Sequence, residues 1–188
     1  MQISTLLRLY KSVGYIKKPP REVIFSAPNP PSSRLLFLFP LREETLRESR
    51  YVVQQLKKYE PGRNVYLAIA NIYRDIIAYP VSSAFYFPVQ PDDPPRLRMD
   101  VMLARFRNQT FDAVFNLDPE VNLQVARVMS VIKTPQRIGF TGPCADELYN
   151  IQVHIAPERR LKQAYAQMLQ LCDLGSTDNP SSEQLSIL

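Results

Sequence analysis

Apolar runs alternate with amphipathic stretches along most of the chain. Residues 35–39, Leu-Leu-Phe-Leu-Phe, form a continuous apolar run that is typical of a β-strand buried on both faces. Residues 42–59 then repeat apolar side chains at helical spacing, with glutamates near the start and lysines near the end. The same reading predicts strands over 65–70, 84–89, 111–117, 137–140 and 151–155, and helices over 72–78, 97–107, 119–132 and 157–173.

Strands that alternate with helices in this way predict the α/β class. We expect a single Rossmann-like, doubly wound, mostly parallel sheet of about six strands with helices on both faces. Ligands of such folds bind beyond the carboxyl ends of the strands. A site in this chain is therefore expected at the rim formed by residues 40–45, 70–74, 116–120 and 140–146.

The residues before the first strand have a different pattern. Residues 3–16 repeat apolar positions at helical spacing and predict a short amphipathic helix, which Pro19-Pro20 must end. Proline-rich residues up to 33 predict an extended arm along the surface. We therefore divide the chain into a helix and arm (1–33), a Rossmann-like domain (34–175) and a polar tail (176–188).

Positive charge is concentrated in the N-terminal segment. The chain has a formal net charge of +5. Residues 1–21 carry five basic side chains and no acid, so the charge of this segment equals that of the whole chain. Such a segment suggests docking on a protein partner or on the anionic cytoplasmic face of a membrane. The alternative is that the helix over residues 3–16 simply packs on the body of the protein. Nucleic acid is not expected, because the remaining body is neutral. The docking candidates are Arg8, Lys11, Lys17, Lys18 and Arg21.

Composition excludes several kinds of site. One histidine, two cysteines and five glycines argue against a disulfide scaffold, a four-cysteine zinc site and a glycine-rich phosphate loop. We therefore expect no metal and no cofactor. No apolar run approaches the ~20 residues of a membrane-spanning helix, and no secretory signal is recognised. A cytoplasmic location is expected, with peripheral contact to the inner membrane as an open alternative.

Candidate chemistry lies in two loops of the predicted rim. In the first loop, Glu43 or Glu44 could act as a general base, although acids in a first helical turn more often complement the helix N-terminus. In the second loop, Asp118 is either a ligand-binding acid or, as its position before a proline favours, a helix N-cap. The rim candidates for ligand contact are Arg42, Thr45, Asn116 and Asp118.

Other reactive side chains lack partners in the sequence. Cys144 follows a Gly-Pro turn with no activating neighbour, and His154 lies in an apolar alternation without a nucleophile, so neither is expected to be catalytic. Aromatic residues between 66 and 87 could form a stacking platform, but filling the sheet core is the more common role.

Four stretches in a fixed order carry a family resemblance over about residues 34–175. The first strand and helix lead to Glu60-Pro61, Phe111-Asp112-Ala113-Val114-Phe115-Asn116-Leu117 is similar to a "YDxVIDL" strand, and Gln136-Arg137-Ile138-Gly139-Phe140 to a "RRIGF" strand. Residues 149–175 resemble the closing leucine-rich helix before "LG". Together they resemble the N-terminal, acceptor-side half of glycosyltransferase family 9, the lipopolysaccharide heptosyltransferases.

The resemblance implies a fold, and its departures bear on activity. The family carries a catalytic Gly-Asp pair after its first strand, and this pair falls on Glu44-Thr45 here. The family's glycine-bearing turn is replaced by Asp118-Pro119. The family also has a second, donor-binding domain, and we expect this chain to lack it. We therefore expect a degenerate half-domain that is not an enzyme on its own.

Two functions follow from these observations. The first is a non-catalytic scaffold, or pseudoenzyme, that docks on a protein partner or the membrane face through its basic N-terminal segment. The second is an acceptor-binding subunit of a split glycosyltransferase, which would act with a separate donor-binding chain and use Glu43 or Glu44 as its base.

Overall fold

The computed structural model describes residues 3–12, 14, 16–17, 19, 33–57, 64–77, 84–92, 95–155 and 160–171, without the side chains of residues 3, 4, 7 and 11. The helices in this part of the chain are α1 (Ile3–Ser12), α2 (Glu43–Leu56), α3 (Met99–Phe106), α4 (Leu123–Val131) and α5 (Leu161–Gln170). The strands are β1 (Arg34–Leu38), β2 (Asn64–Ala70), β3 (Ala84–Phe87), β4 (Val89–Gln90), β5 (Arg96–Leu97), β6 (Ala113–Asn116), β7 (Gln136–Phe140) and β8 (Ile151–Val153).

Six strands form one parallel sheet in the order β3-β2-β1-β6-β7-β8. The strand order reverses between β1 and β6, which makes the gap between their carboxyl ends the topological switch point of the sheet. Strands β4 and β5 form a separate antiparallel ribbon. The predicted α/β, doubly wound fold is therefore confirmed.

The apolar run of β1 lies at the centre of the core. Leu35, Leu36, Phe37 and Leu38 are all buried, as expected for a strand covered on both faces. Phe37 stacks on Phe115 of β6, with ring centroids 4.6 Å apart. This central packing fixes the two strands that border the switch point.

Helices cover both faces of the sheet. Helix α5 packs against α2, and its Tyr165 meets Phe140 of β7 edge-to-face on the same face as the Phe37–Phe115 stack. Helices α3 and α4 pack against each other on the opposite face, where Met102 and Val125 line a pocket with Leu38. Successive side chains of a strand point to opposite faces of the sheet, and each face is covered by its own pair of helices.

Two predicted elements between residues 72 and 89 differ in the structure. The predicted strand 84–89 is split at Pro88, which has no N–H to donate, so Val89 and Gln90 leave the sheet and pair with β5. Residues 71–73 form only a 3₁₀ turn, where a helix over 72–78 is predicted. The connection between β7 and β8, where no helix is predicted, contains another 3₁₀ turn, Ala145–Glu147.

Helix α4 begins four residues later than its proline suggests. Asn122 caps it, because the Asn122 Oδ1 accepts hydrogen bonds from Gln124 N at 2.9 Å and Val125 N at 3.3 Å. The interpretation of Asp118 as the cap of this helix is therefore wrong, and its carboxylate is left for another role.

The N-terminal prediction is met only in part. Helix α1 ends at Ser12, before Gly14 with its φ of +69°, rather than at residue 16. Residues 20–32 of the predicted arm and all of the tail from 172 lie outside the described residues. The division of the chain at residues 33 and 175 therefore stays a prediction.

Candidate functional site

The switch point brings the two candidate loops together. The loop after β1 and the loop after β6 lie side by side, because Leu117 N donates to Leu38 O at 3.0 Å. Arg42 in the first loop forms an ion pair with Glu120 in the second, with Arg42 Nη1 2.6 Å from Glu120 Oε1. The two side chains are 51% and 60% exposed, so this bridge contributes little stability.

Asp118 lies beneath this bridge as a buried carboxylate. It is only 6% exposed, and its Oδ1 accepts a 3.0 Å hydrogen bond from Glu120 N. The pKa of Asp118 is raised from 3.8 to about 6, chiefly by burial and in smaller part by the nearby charge of Glu120. The Glu120 N–H and the Arg42 charge act in the opposite direction. A carboxyl that titrates near pH 6 can exchange a proton under ordinary conditions.

Asn116 and Tyr149 form a buried polar contact beside Asp118. Asn116 Nδ2 donates to the Tyr149 hydroxyl at 2.7 Å, and Asn116 Oδ1 accepts from Asp118 N at 3.2 Å. Burial raises the pKa of Tyr149 to about 12, so the phenol stays protonated. Since Asn116 is satisfied by neighbours within the protein, it orients the loop rather than offering a free group to a ligand.

A second tyrosine holds the end of β6 from the other face. Tyr165 of α5 donates its hydroxyl to Leu117 O at 2.8 Å. Tyr73 acts similarly in the first loop, where its hydroxyl donates to Leu41 O at 2.7 Å. Both loops at the switch point are thus fixed by buried tyrosine hydroxyls, which donate to backbone carbonyl groups just beyond the strands.

The glutamates predicted as candidate bases do not join this cluster. Glu43 is the first residue of α2 and pairs with Arg47 one turn along the helix, where Arg47 Nε donates to Glu43 Oε1 at 2.9 Å. Glu44 is exposed in the same first turn, and Thr45 is partly exposed. Their position matches the helix-terminus role that the sequence favours.

An apolar pocket occupies the carboxyl side of the sheet near the first loop. It is a small pocket that is partly open to solvent. The lining side chains are all apolar and come from β1, the loop after it, β2, β3, β5, α3 and α4: Leu38, Phe39, Leu41, Ala68, Phe87, Leu97, Met102, Val125 and Val128. Such a lining offers no side-chain hydrogen bond to a saccharide.

The N-terminal segment is attached to the body just after α1. Ile16 is 2% exposed and belongs to the core, and Ile16 N donates to Tyr10 O at 3.2 Å. Arg137 Nη1 of β7 donates to Lys17 O at 3.0 Å. Among the docking candidates, Arg8 and the Lys17 side chain are exposed. The Lys11 side chain, Lys18 and Arg21 lie outside the described residues.

The remaining polar and aromatic candidates have ordinary surroundings. His154 is exposed, with Nδ1 3.1 Å from Thr141 Oγ1, and Cys144 is partly buried in a left-handed conformation. Tyr66, Phe85 and Phe87 pack in or on the sheet core. Within the described residues, no group of three His, Cys, Asp or Glu side chains could hold a metal ion, and no helix is long and apolar enough to cross a membrane.

Two residues that organise these features were not among the candidates from the sequence. Glu120 and Tyr149 are far from their partners in sequence, and only the fold reveals the pairing. Ile16 is the last residue of the predicted helix 3–16, and its burial agrees with the alternative that this helix packs on the body.

Comparison with known proteins supports the fold alone. No protein-family model and no curated protein match the chain. E. coli heptosyltransferase WaaC with ADP matches with a TM-score of 0.54 and 16% identity, covering 72% of this chain and 47% of that one. E. coli heptosyltransferase WaaC with ADP-2-deoxy-2-fluoro heptose also matches, with a TM-score of 0.54, 15% identity and coverage of 73% and 48%.

These matches define the class of fold. The chain has a heptosyltransferase-like, Rossmann-like fold, as the resemblance in its sequence predicts. It spans about half the length of the structures that it matches. At this level of identity the likeness concerns the arrangement of strands and helices, and not the reaction.

Proposed function

We propose that this chain is a non-catalytic interaction protein that binds an acidic surface of a protein partner through its basic N-terminal segment. The observation that carries this proposal is the attachment of that segment: Ile16 is buried in the core, while Arg8 and the Lys17 side chain face solvent. A segment fixed in this way presents its charges from a defined position, which favours specific over diffuse contact.

The burial of apolar side chains favours a protein partner over a membrane. An amphipathic helix binds a bilayer by inserting its apolar face. Here Tyr10 packs against the core, Leu6 is partly buried and Ile16 is fully buried. Leu9, at 53% exposure, is the one large apolar side chain in the described part of α1 that is well exposed. Charge, rather than apolar insertion, is left as the main attraction.

The rim supports a non-catalytic role. The position of the family's Gly-Asp pair holds Glu44 and Thr45, Glu43 is paired with Arg47, and the nearby pocket is lined by apolar side chains. A sugar acceptor needs several well-placed hydrogen-bonding groups and a base near its hydroxyl. The described residues of the first loop offer few such groups.

The proposal is tested by capture with charge reversal. The full chain, the double variant Arg8→Glu/Lys17→Glu and the control Arg107→Glu/Lys133→Glu are each used as bait in native extract with membranes retained. Both pairs exchange two exposed basic side chains for acids, so total charge is matched. The proposal requires that one acidic protein be captured by the full chain and the control and be lost by the N-terminal variant.

Two results would contradict this proposal. Equal capture by all three baits would show that the N-terminal charges are not the contact. Co-flotation of the purified chain with phosphatidylserine vesicles, lost on the N-terminal reversal, would assign the segment to a membrane instead.

A second function is favoured by one observation, the buried Asp118 beneath the Arg42–Glu120 pair. Its carboxyl titrates near pH 6 at the switch point, where a base acting on an acceptor hydroxyl would lie. The chain would then be the acceptor-binding subunit of a split glycosyltransferase. If a donor-binding chain is captured, Asp118→Asn should lower transfer by the assembled pair by about 10²-fold or more. A Glu43→Gln/Glu44→Gln variant tests the alternative base, and unchanged transfer in both variants would eliminate this function.

A further inference from the structure

Arg137 is an unusual side chain for the interior of this sheet. It is 6% exposed, and its Nε has no hydrogen-bond partner. Among the described residues no carboxylate forms an ion pair with it. Burial accordingly lowers the pKa of Arg137, with no opposing charge to raise it. Burial of a guanidinium with so few partners costs free energy, so the hydrogen bond that it does make is of interest.

That contact is with the backbone that follows α1. Arg137 Nη1 donates to Lys17 O at 3.0 Å, across a separation of 120 residues in sequence. The adjacent Ile16 inserts its side chain into the core. The segment Ile16–Lys17, called the strap below, is therefore held by one apolar anchor and one charged hydrogen bond.

The two anchors respond differently when the strap leaves the body. Ile16 loses its apolar burial, which opposes release. Arg137 loses its hydrogen bond to Lys17 O, and the hydration that its charge regains offsets part of this loss, so the bond fastens the strap only weakly. A strap held by two such contacts can open while the sheet stays folded.

We propose that the strap is a releasable element and that Arg137 is the positioning residue that fastens it. When the strap is closed, α1 is held against the body. When it opens, α1 and its basic side chains separate from the sheet while the fold persists. The inference goes beyond the proposed docking, since it describes an equilibrium of the chain alone.

Hydrogen exchange of the full chain tests the strap without any partner. The Ile16 amide, which donates to Tyr10 O, reports on the strap, and the Leu117 amide, which donates to Leu38 O, reports on the sheet. Arg137→Met should speed exchange at Ile16 about tenfold, since a hydrogen bond from a charged donor is lost. Leu117 should exchange as in the parent chain. Arg137→Lys keeps a charged donor and should restore part of the protection.

The same experiment contains the results that would overturn the proposal. Arg137→Met also removes a buried charge, so slower exchange at Ile16 would show that Arg137 opposes the closed state rather than fastening it. Unchanged exchange would show that the hydrogen bond holds nothing. Arg107→Met, which changes an exposed arginine at the C-cap of α3, serves as the control and should alter neither amide.

A second variant covers the case in which Arg137→Met does not fold. Ile16→Ala removes the apolar anchor and leaves Arg137 in place. If the strap opens independently of the sheet, exchange of the amide at position 16 should be faster and exchange of the Leu117 amide should not change. Equal acceleration at both amides would show that the segment opens only with the whole sheet, and would overturn the proposal. Failure of partner capture, by contrast, would affect the docking function and leave this result standing.

Discussion

The ring of Tyr149 lies directly over the backbone of Gly139, where an added Cβ would meet the Tyr149 Cζ at 2.4 Å. The same tyrosine accepts a hydrogen bond from Asn116 and so connects β7 with the loop that carries Asp118. Gly139 is therefore needed for close approach, and the glycine in the family-like Arg137-Ile138-Gly139-Phe140 stretch has a physical reason in this chain.

Replacement of Gly139 by alanine should displace the Tyr149 ring and destabilise the fold. We expect a loss of about 1–3 kcal/mol in the free energy of unfolding, because a buried aromatic ring has little room to move. Denaturant titration measures this loss. Gly142→Ala is the matched control, since nothing lies within 4 Å of the added Cβ, and it should change stability by less than about 0.5 kcal/mol. Equal effects of the two variants would contradict the close approach.

Asp118 should make stability fall as the pH rises from about 4 to 6. The unfolded chain releases this proton near pH 3.8, whereas the folded chain holds it to about pH 6. The folded state thus binds more protons in this window, and its stability decreases by about 3 kcal/mol across it. Asp118→Asn removes the charge, so it should be more stable than the parent chain at pH 8 and similar at pH 4. Denaturant midpoints over this range provide the measurement, and a variant that is less stable at pH 8 would refute the burial argument.

The Arg42–Glu120 pair should tune that window while adding little stability. Glu120→Gln removes a negative charge that raises the pKa of Asp118, so the upper edge of the window should move to lower pH. Arg42→Gln removes a charge that lowers this pKa and should move the edge to higher pH. Each variant should change stability at pH 8 by less than about 1 kcal/mol, since both side chains are exposed. Shifts in the same direction would show that the two charges do not act on Asp118.

The sheet could be predicted from sequence because its strands are strongly patterned. The uninterrupted apolar run of β1 and the alternation of strands with helices gave the architecture, and the parallel order confirms it. The errors lie where one residue decides the outcome. Pro88 divides a predicted strand, and Asn122 rather than Asp118 caps α4. Pro88 cannot donate to the ladder, and Asp118 and Asn122 are both favoured N-cap residues, so only the structure shows which one caps the helix.

The candidate site could be predicted in place but not in detail. The rim rule predicts that the loops with Arg42, Asn116 and Asp118 lie side by side, and they do, because parallel strands end at a common edge. Ligand contact by these residues stays a prediction. The rim rule gave no sign of the Arg42–Glu120 bridge or of the burial of Asp118. The contact of Arg137 with Lys17 joins residues 120 positions apart through a backbone carbonyl, and a sequence pattern carries no trace of such a bond.

The central claim is that charges on the N-terminal segment bind an acidic protein surface. The most direct measurement is the affinity of the purified captured partner for the full chain and for Arg8→Glu/Lys17→Glu, at low and at high salt. We expect the reversal to weaken binding about tenfold or more at low salt, with a smaller difference at high salt, because the attraction between exposed charges is screened. Equal affinities of the two chains at low salt would contradict the account.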